Sequence, residues 1–461
     1  MQSLKQNITQ MKKTIYLLLL ASLAIAGCVA TREIPLTVNP EIYATAEQLD
    51  SLPVLPSDLS QIKYIHLPDS LTGEGEWPVH YLSRDYMENY EMIQLEGIPG
   101  MNEYDIFDIQ SDDNLLFVTY NGTRNDSTKL RLPRIHAIYT RQGKLVSQIG
   151  KGIATIEEKN GEGKTVKETP EEEKHSDIQY YLDSRLGLNR QRKEVYFNEL
   201  GGKQVYFDYK GNYKRTEYTQ TISYTTLTTR DTKVGMYIDF SVAYWNKLHG
   251  ILIGKNGAPQ AVAFKRDPLH RSPLYGNVEA IHQIDDDLML GFSTSDTIWQ
   301  ILPDRKVARY VCTGALAVPE QARDYNIALS KRWGNHIRKE FVLASGKYVL
   351  LNLRRVGAMP HNLLFDAETG HSIWWTIDIP FTNTIIGIYI DLAPQFTLLP
   401  DGTLISFRDL PTPYELKKLL SQELNPESTF GKHIDSREEK FIRNLKLDGG
   451  PVLFFVKLKK F

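Results

Sequence analysis

The chain has 461 residues, with 54 Lys and Arg against 56 Asp and Glu, 41% hydrophobic and 10% aromatic residues, and two cysteines. A hydrophobic share near the globular norm, beside 24% charged residues, excludes intrinsic disorder and a polytopic membrane protein. A formal charge of −2 leaves no basic excess for gripping nucleic-acid phosphates, and two cysteines make neither a disulfide framework nor a zinc set. A chain this long can bury a large core, as one big β architecture or as two or three domains.

At the N-terminus, Lys12 and Lys13 precede an apolar stretch, Thr14–Ala26, that is too short to span a bilayer as a stable helix. It ends in Ile25-Ala26-Gly27-Cys28, which resembles the lipobox of bacterial lipoproteins. Small residues at 26 and 27 let an extended backbone enter a peptidase site, and the Cys28 thiol can carry a diacylglyceryl chain. The alternative is a plain secretory signal with a chance cysteine. Residues 1–10 add nothing to a signal, so Met11 fits as the true start. The resulting division is a signal peptide at 1–27, a tether and lead-in at 28–55, and the main domain at 56–461. Cleavage removes Lys5, Lys12 and Lys13 and no acid, leaving a more acidic mature chain. Several acyl chains on Cys28 would anchor it firmly, since one alone binds only marginally. The short segment Val29–Pro35 has no acidic run directly after the cysteine, so the membrane face it decorates stays open.

From about residue 60 the dominant signal is period-2 alternation rich in Tyr, Phe, Val and Ile, broken by Gly, Asp and Asn turns. Helical periodicity is confined to Pro319–Leu329, Tyr414–Leu424 and Glu438–Leu445. A hairpin recurs six times: about turns at Ser111–Asn114, Asn189–Lys193, Arg230–Lys233, Asp285–Asp287, Ala344–Lys347 and Pro400–Gly402. A second hairpin follows each of the first five, turning at Gln142-Gly143, Lys210-Gly211, Asn256-Gly257, Pro303–Arg305 and Thr369-Gly370. Glycine in these turns supplies the positive φ that tight hairpins need.

Two hairpins make a four-stranded antiparallel sheet, and a series of such sheets is a β-propeller. The sixth repeat lacks its second hairpin, while Ile62–Leu67 and Val452–Leu458 read as strands without partners. Letting those two terminal strands complete the sixth blade closes the ring and removes exposed edges. The expected fold is therefore all-β, a six-bladed propeller closed by N- and C-terminal strands, with a few short helical insertions; five or seven blades are the alternatives. The charged run from Glu157 to about residue 177 reads as a solvated loop, with an acidic recognition loop as its alternative.

The stretch Phe107–Ile149, above all Ile135–Val146, resembles the repeat of NHL- and TolB-like six-bladed propellers. Taken with the lipobox, the chain resembles the propeller lipoproteins of Bacteroidota. The resemblance implies a cell-envelope location, lipid-anchored at Cys28 and on the outer membrane. It brings no catalytic residues, because that family is largely without assigned activity.

Motifs that would carry chemistry are sparse. Gly161-Glu162-Gly163-Lys164-Thr165 echoes a phosphate loop but has Glu158 where the pattern needs glycine. Ser293–Trp299 echoes a sialidase turn without its glycine. No nucleophile elbow, metal-spaced histidine pair or cofactor fingerprint occurs, so neither a cofactor nor a metal is expected. Cys312 reads as a small buried hydrophobe, or alternatively a reactive thiol. Asp105, Asp108, Asp112, Asp113 and Asp285–Asp287 could supply carboxylates for glycoside hydrolysis or calcium, though acidic turn residues are common between strands.

One constellation stands out: Arg332, Trp333, Arg354, Arg355 and Trp374, near His336, Arg338 and Trp375. Guanidinium and aromatic groups at a propeller mouth suit a sugar or an anion, whereas strand tryptophans and arginines also serve as packing and ion pairs. The expected protein is a monomeric, lipid-anchored envelope module that holds a protein or glycan partner. The alternative is a carbohydrate-active enzyme, a hydrolase or lyase, working at the channel mouth.

Overall fold

The computed structural model describes residues 34–35, 46–72, 76–80, 86–99, 101, 104–112, 114–121, 134–149, 156–159, 165–166, 186–199, 203–218, 223–229, 232–238, 247–254, 257–264, 279–292, 295–314, 337–355, 358–376, 396–406, 412–423 and 436–459. The signal segment with Cys28, the helix expected at Pro319–Leu329, and Arg332, Trp333 and His336 lie outside the described residues. Among the described residues no helix is long and apolar enough to cross a membrane.

Six antiparallel four-stranded blades follow one another along the chain. Blade 1 is built from Ile106–Asp112, Leu115–Tyr120, Ile135–Thr140 and Leu145–Gln148. Blade 2 comprises Leu186–Asn189, Glu194–Glu199, Lys203–Asp208 and Tyr213–Tyr218. Blade 3 comprises Ser223–Thr229, Thr232–Ile238, Lys247–Ile253 and Pro259–Phe264. Glu279–Ile284, Asp287–Phe292, Thr297–Ile301 and Lys306–Thr313 form blade 4. Arg338–Ser345, Tyr348–Arg354, His361–Asp366 and Ser372–Thr376 form blade 5. The first strands of neighbouring blades touch, so they form the inner ring and the fourth strands the circumference. The expected hairpin turns match: each predicted pair of strands is antiparallel about the stated turn.

Blade 6 closes the ring and corrects one expectation. Phe396–Leu398 and Thr403–Ser406 pair first, and Val452–Leu458 adds as the third strand, as expected. The outermost strand is Met87–Gln94, in register from Val452↔Gln94 to Leu458↔Met87, and not Ile62–Leu67. Lys63–His66 instead lies parallel to Tyr310–Thr313 on the edge of blade 4, with Ser57–Asp58 beside Lys306–Val307 on the same edge. The run after Glu157 also departs from a plain loop, since Ile156–Lys159 pairs with Thr165–Val166 and with Ile34–Pro35.

Residues 53–72 and 76–80 form a belt outside blades 3, 4 and 5. Leu55 N donates to Val262 O at 2.8 Å, Val262 N to Pro53 O at 3.0 Å, and Thr376 N to His80 O at 2.6 Å. Leu55 packs with Val234, Leu252 and Leu290, and Leu49 with Ile251 and Val262, burying the belt's start against the sheets. Lys306 pins it. Its buried ammonium donates to Leu55 O at 3.0 Å and Ala263 O at 2.7 Å and sits 4.4 Å from the Phe264 ring. Carbonyl acceptors and a ring face offset the desolvation of this cation, and burial pulls its pKa down.

The core lies between blades. Tyr120, Tyr139, Leu116 and Val118 of blade 1 pack with Leu453, Phe455 and Ile405 of blade 6. Phe117 and Ile138 pack with Leu188, Val195 and Phe197 of blade 2. Cys312 is buried among Ile65, Met289 and Ile298, as a small hydrophobe. The helix Pro413–Glu423 starts in a capping box, with Thr412 N donating to Glu415 Oε2 at 2.7 Å and Glu415 N to Thr412 Oγ1 at 3.2 Å. It and the helix Ser436–Asn444 pack Leu416, Leu420 and Ile442 against blade 6.

Two turn glycines are fixed by the neighbouring blade. A Cβ on Gly143 (φ +86) would lie 2.4 Å from Gln94 O, and one on Gly211 (φ +81) 2.5 Å from Gln148 O. Gly370 has φ +77 but nothing within 4 Å. Gly370→Ala is expected to cost about 1 kcal/mol, from the left-handed backbone alone, and Gly143→Ala and Gly211→Ala more than about 2 kcal/mol each. Denaturant melts of the three variants check that order.

Candidate functional site

Of the carboxylates that the sequence offered for catalysis, those of Asp112 and Asp285 join blades, while Asp286 Oδ1 is buried without a hydrogen-bond partner. Asp285 sits at a tight turn with φ 50; its Oδ1 accepts from Ser345 Oγ at 2.9 Å and its Oδ2 from Gly346 N at 2.7 Å, tying blade 4 to blade 5. Thr229 Oγ1 donates to Asp286 O at 2.7 Å, tying blade 3 to blade 4. Asp112 accepts from Lys193 Nζ at 2.8 Å and from the Tyr209 hydroxyl at 2.6 Å, tying blade 1 to blade 2. Asp105 accepts from Asn121 Nδ2 at 2.9 Å, and Asp108 from Gln110 Nε2 at 3.3 Å. Asp113 lies outside the described residues.

At the same end of the disc Arg190, in the first turn of blade 2, reaches two other blades. Its Nε and Nη2 donate to Ser111 O of blade 1 at 3.1 and 3.0 Å, and its Nη1 donates to Asp285 O of blade 4. The planar fork thus links the inner ring across its opening, a role that lysine could not fill. Among the described residues no group of three or more His, Cys, Asp or Glu could hold a metal.

The opposite ends of the blade 5 strands carry a different arrangement. Of the aromatic and guanidinium set expected at a channel mouth, Trp374 lies on the outermost strand and Arg355 just after the second. Trp374 is thus at the rim of the disc, and Arg355 stacks over Trp77 of the belt. Arg354 is half-buried, its Nε 3.4 Å from Asn352 Oδ1. Trp375, facing the other way, is buried with Leu398 and Val452 between blades 5 and 6.

What joins Trp374 and Arg355 is a residue the sequence reading passed over, His361. Its ring lies 5.3 Å from Trp374 and 5.0 Å, edge-on, from Trp77. Arg355 stacks over Trp77 at 5.0 Å, and His80 lies 4.7 Å from Trp374 and 6.0 Å from Tyr86. Rings therefore run in a row from buried His361 through Trp374 and His80 to exposed Tyr86. Trp77 and His80 arrive on the belt. His80 N donates to Thr376 Oγ1 at 2.8 Å, and Trp77 Nε1 to Leu71 O at 2.9 Å.

His361 Nδ1 lies 2.8 Å from Met359 O, and its Nε2 lies 3.0 Å from both Pro78 O and Thr376 Oγ1. A neutral ring donates from one nitrogen only; with the proton on Nδ1 it bonds Met359 O, and the Thr376 hydroxyl donates to Nε2. Burial is the main force holding this imidazole below its ordinary pKa, with the charges of His80 and Arg355 adding to it. The pKa of His80 is lowered by burial as well.

No family model matches the chain, and no curated protein matches it. Among solved structures, a candidate exported protein of Bacteroides fragilis superposes with a TM-score of 0.57 at 11% identity, over 86% of this chain and 100% of that one. The β-propeller domain of the Trilobed protease from Pyrococcus furiosus gives 0.35 at 9% identity, over 66% of this chain and 91% of that one. BamB from Moraxella catarrhalis gives 0.31 at 10% identity, over 68% and 75%. At such identities the Bacteroides likeness is one of fold.

Because the folded chain keeps His361 neutral below the 6.5 of a free imidazole, the unfolded chain binds protons first as pH falls. This contribution to stability is whole above pH 6.5 and is lost as pH drops toward the depressed value; His80 acts in the same direction. In His361→Gln the fall in melting temperature from about pH 7.5 to about pH 5 is expected to be smaller than in the native protein. Parallel pH series of thermal melts measure it.

Proposed function

We propose that the protein is a lipid-anchored binding or scaffolding module of the bacterial cell envelope, which holds a protein or glycan partner on its propeller. The observation that carries this reading is the row of rings at the rim of blade 5, a partly exposed aromatic surface on a rigid frame. Binding sites are commonly made of such preformed, mostly apolar surfaces with a few placed polar groups. The Ile25–Cys28 lipobox supports an anchor at Cys28, and the exported Bacteroides structure of the same fold supports an envelope address. Within that address we favour the outer membrane, a blade repeat of the NHL- and TolB-like kind, and a protein acting as a single copy.

Two measurements in the native host test the two halves of the proposal. The native chain is expected in the membrane pellet and Cys28→Ala in the soluble fraction; equal pelleting of both would remove the anchor. Crosslinking of intact cells with a C-terminal tag is expected to recover a stoichiometric envelope protein or a bound glycan. Recovery of the chain alone would count against the module.

A further inference from the structure

We infer that the blade 5 rim is a binding site for a neutral sugar chain, with Trp374 and Tyr86 as its stacking rings and His80 between them. The inference rests on the reading of the protein as a binding module and names the chemistry of what that module holds. Trp374 and His80 are half-buried and Tyr86 is 40% exposed, so all three side chains in the row reach solvent, with Tyr86 edge-on to His80.

Among the described residues the polar atoms at the edges of these three rings are unspent: the indole N–H of Trp374, the two imidazole nitrogens of His80 and the Tyr86 hydroxyl make no hydrogen bond. Val79, next to His80 in the chain, and Met359, whose carbonyl faces His361 Nδ1, are exposed apolar residues at 54% and 45%. A pyranose presents C–H faces and a rim of hydroxyls, which matches ring faces bordered by unused donors and acceptors. A lipid chain would cover those polar atoms without bonding them, at the full desolvation cost.

Charge narrows the class. Among the described residues the guanidinium of Arg355 is only 7% exposed and lies over Trp77, which stacks edge-on behind Trp374 on His361. Arg354 points its Nε at Asn352. Burial favours the uncharged form of His80. Among the described residues no cation stacks on Trp374, His80 or Tyr86, and Lys459 meets Tyr86 through its backbone N–H, so the rings themselves favour a neutral ligand over an anionic one.

The row is also preorganised. His80 is tied to Thr376 by two bonds, its N–H to the hydroxyl at 2.8 Å and its carbonyl from the Thr376 amide at 2.6 Å. Behind it His361 Nδ1 faces Met359 O and its Nε2 faces the Thr376 hydroxyl. Little ordering is left to be done on binding.

Affinity electrophoresis of the purified full chain, in gels containing dextran, pullulan, glucomannan or arabinoxylan, tests the assignment, with polygalacturonate as the anionic control. At least one neutral polymer is expected to retard the native protein. Tyr86→Ala and His80→Ala are each expected to weaken that retardation by about fivefold, and Trp374→Ala to abolish it. Retardation by none of the four neutral polymers, by polygalacturonate alone, or equally in native protein and Tyr86→Ala would overturn it. Tyr86 is exposed enough that its replacement leaves the fold intact should Trp374→Ala fail to fold. Crosslinking to a stoichiometric protein partner that survives Tyr86→Ala would retain the module while rejecting this site; an empty crosslinking result with sugar binding intact would do the reverse.

Discussion

Everything in this molecule depends on the antiparallel seam that Val452–Leu458 makes, between Thr403–Ser406 on one side and Met87–Gln94 on the other. A propeller that fails to close leaves two sheets with open faces, and every other interface in the ring is then under-filled. Here the seam joins residues more than 350 apart in the chain, so its loop-closure entropy is large and must be offset by packing. The sequence of the strand reflects that demand. Val-Leu-Phe-Phe-Val-Lys-Leu buries five consecutive residues, because both of its faces meet a neighbouring blade. Phe454 belongs to the core shared with blade 5, and Phe455 to the core shared with blade 1.

Closure alone holds the ring; polar contacts set how its parts register. The first-turn end is laced by Asp285, Thr229, Lys193 and Arg190, each bonding a different blade from its own. Such bonds are individually modest, worth about 1 kcal/mol in net stability, but their donors and acceptors lie partly out of solvent and would be costly to leave unmade. The circumference is held differently. Belt residues 53–66 add parallel strands and bridges to blades 3 and 4, and Lys306 crosses from one blade to the other to grip the belt's backbone. The outer edges of these blades are thereby covered by the chain itself, which also answers the hazard of open sheet edges.

The blades were legible because their signals are local. Gln142-Gly143 and Lys210-Gly211 mark turns whose geometry requires glycine, and the alternation on either side fixes the hairpin. The strand Val452–Leu458 was legible too, from its unbroken apolar run. The strand Met87–Gln94 was not: as the outermost strand it exposes Glu88, Asn89 and Glu91, so its composition, Met-Glu-Asn-Tyr-Glu-Met-Ile-Gln, carries little strand signal. Ile62–Leu67 looked stronger and was assigned to its seat, because hydrophobic pattern identifies a strand but says nothing about its partner. The rim shows the same limit. Trp374 and Arg355 could be picked out by type, whereas His361 is one histidine in a strand and Trp77 and His80 lie nearly 300 residues away.

That distance is itself part of how the rim works. Trp77 and His80 reach blade 5 only because the belt is already paired along blades 3 and 4 and continues into the closing strand at Met87. His361 then reads whether the belt is seated: its Nε2 faces Pro78 O and Thr376 Oγ1, and Thr376 in turn holds the His80 backbone. A disc opened at blade 6 would lose this cluster along with the seam, while a closed disc holds the rings at fixed separations without any help from a ligand. The aromatic surface is therefore a product of closure, assembled from Trp77 and His80 ahead of the strand, Met87–Gln94, that completes the ring.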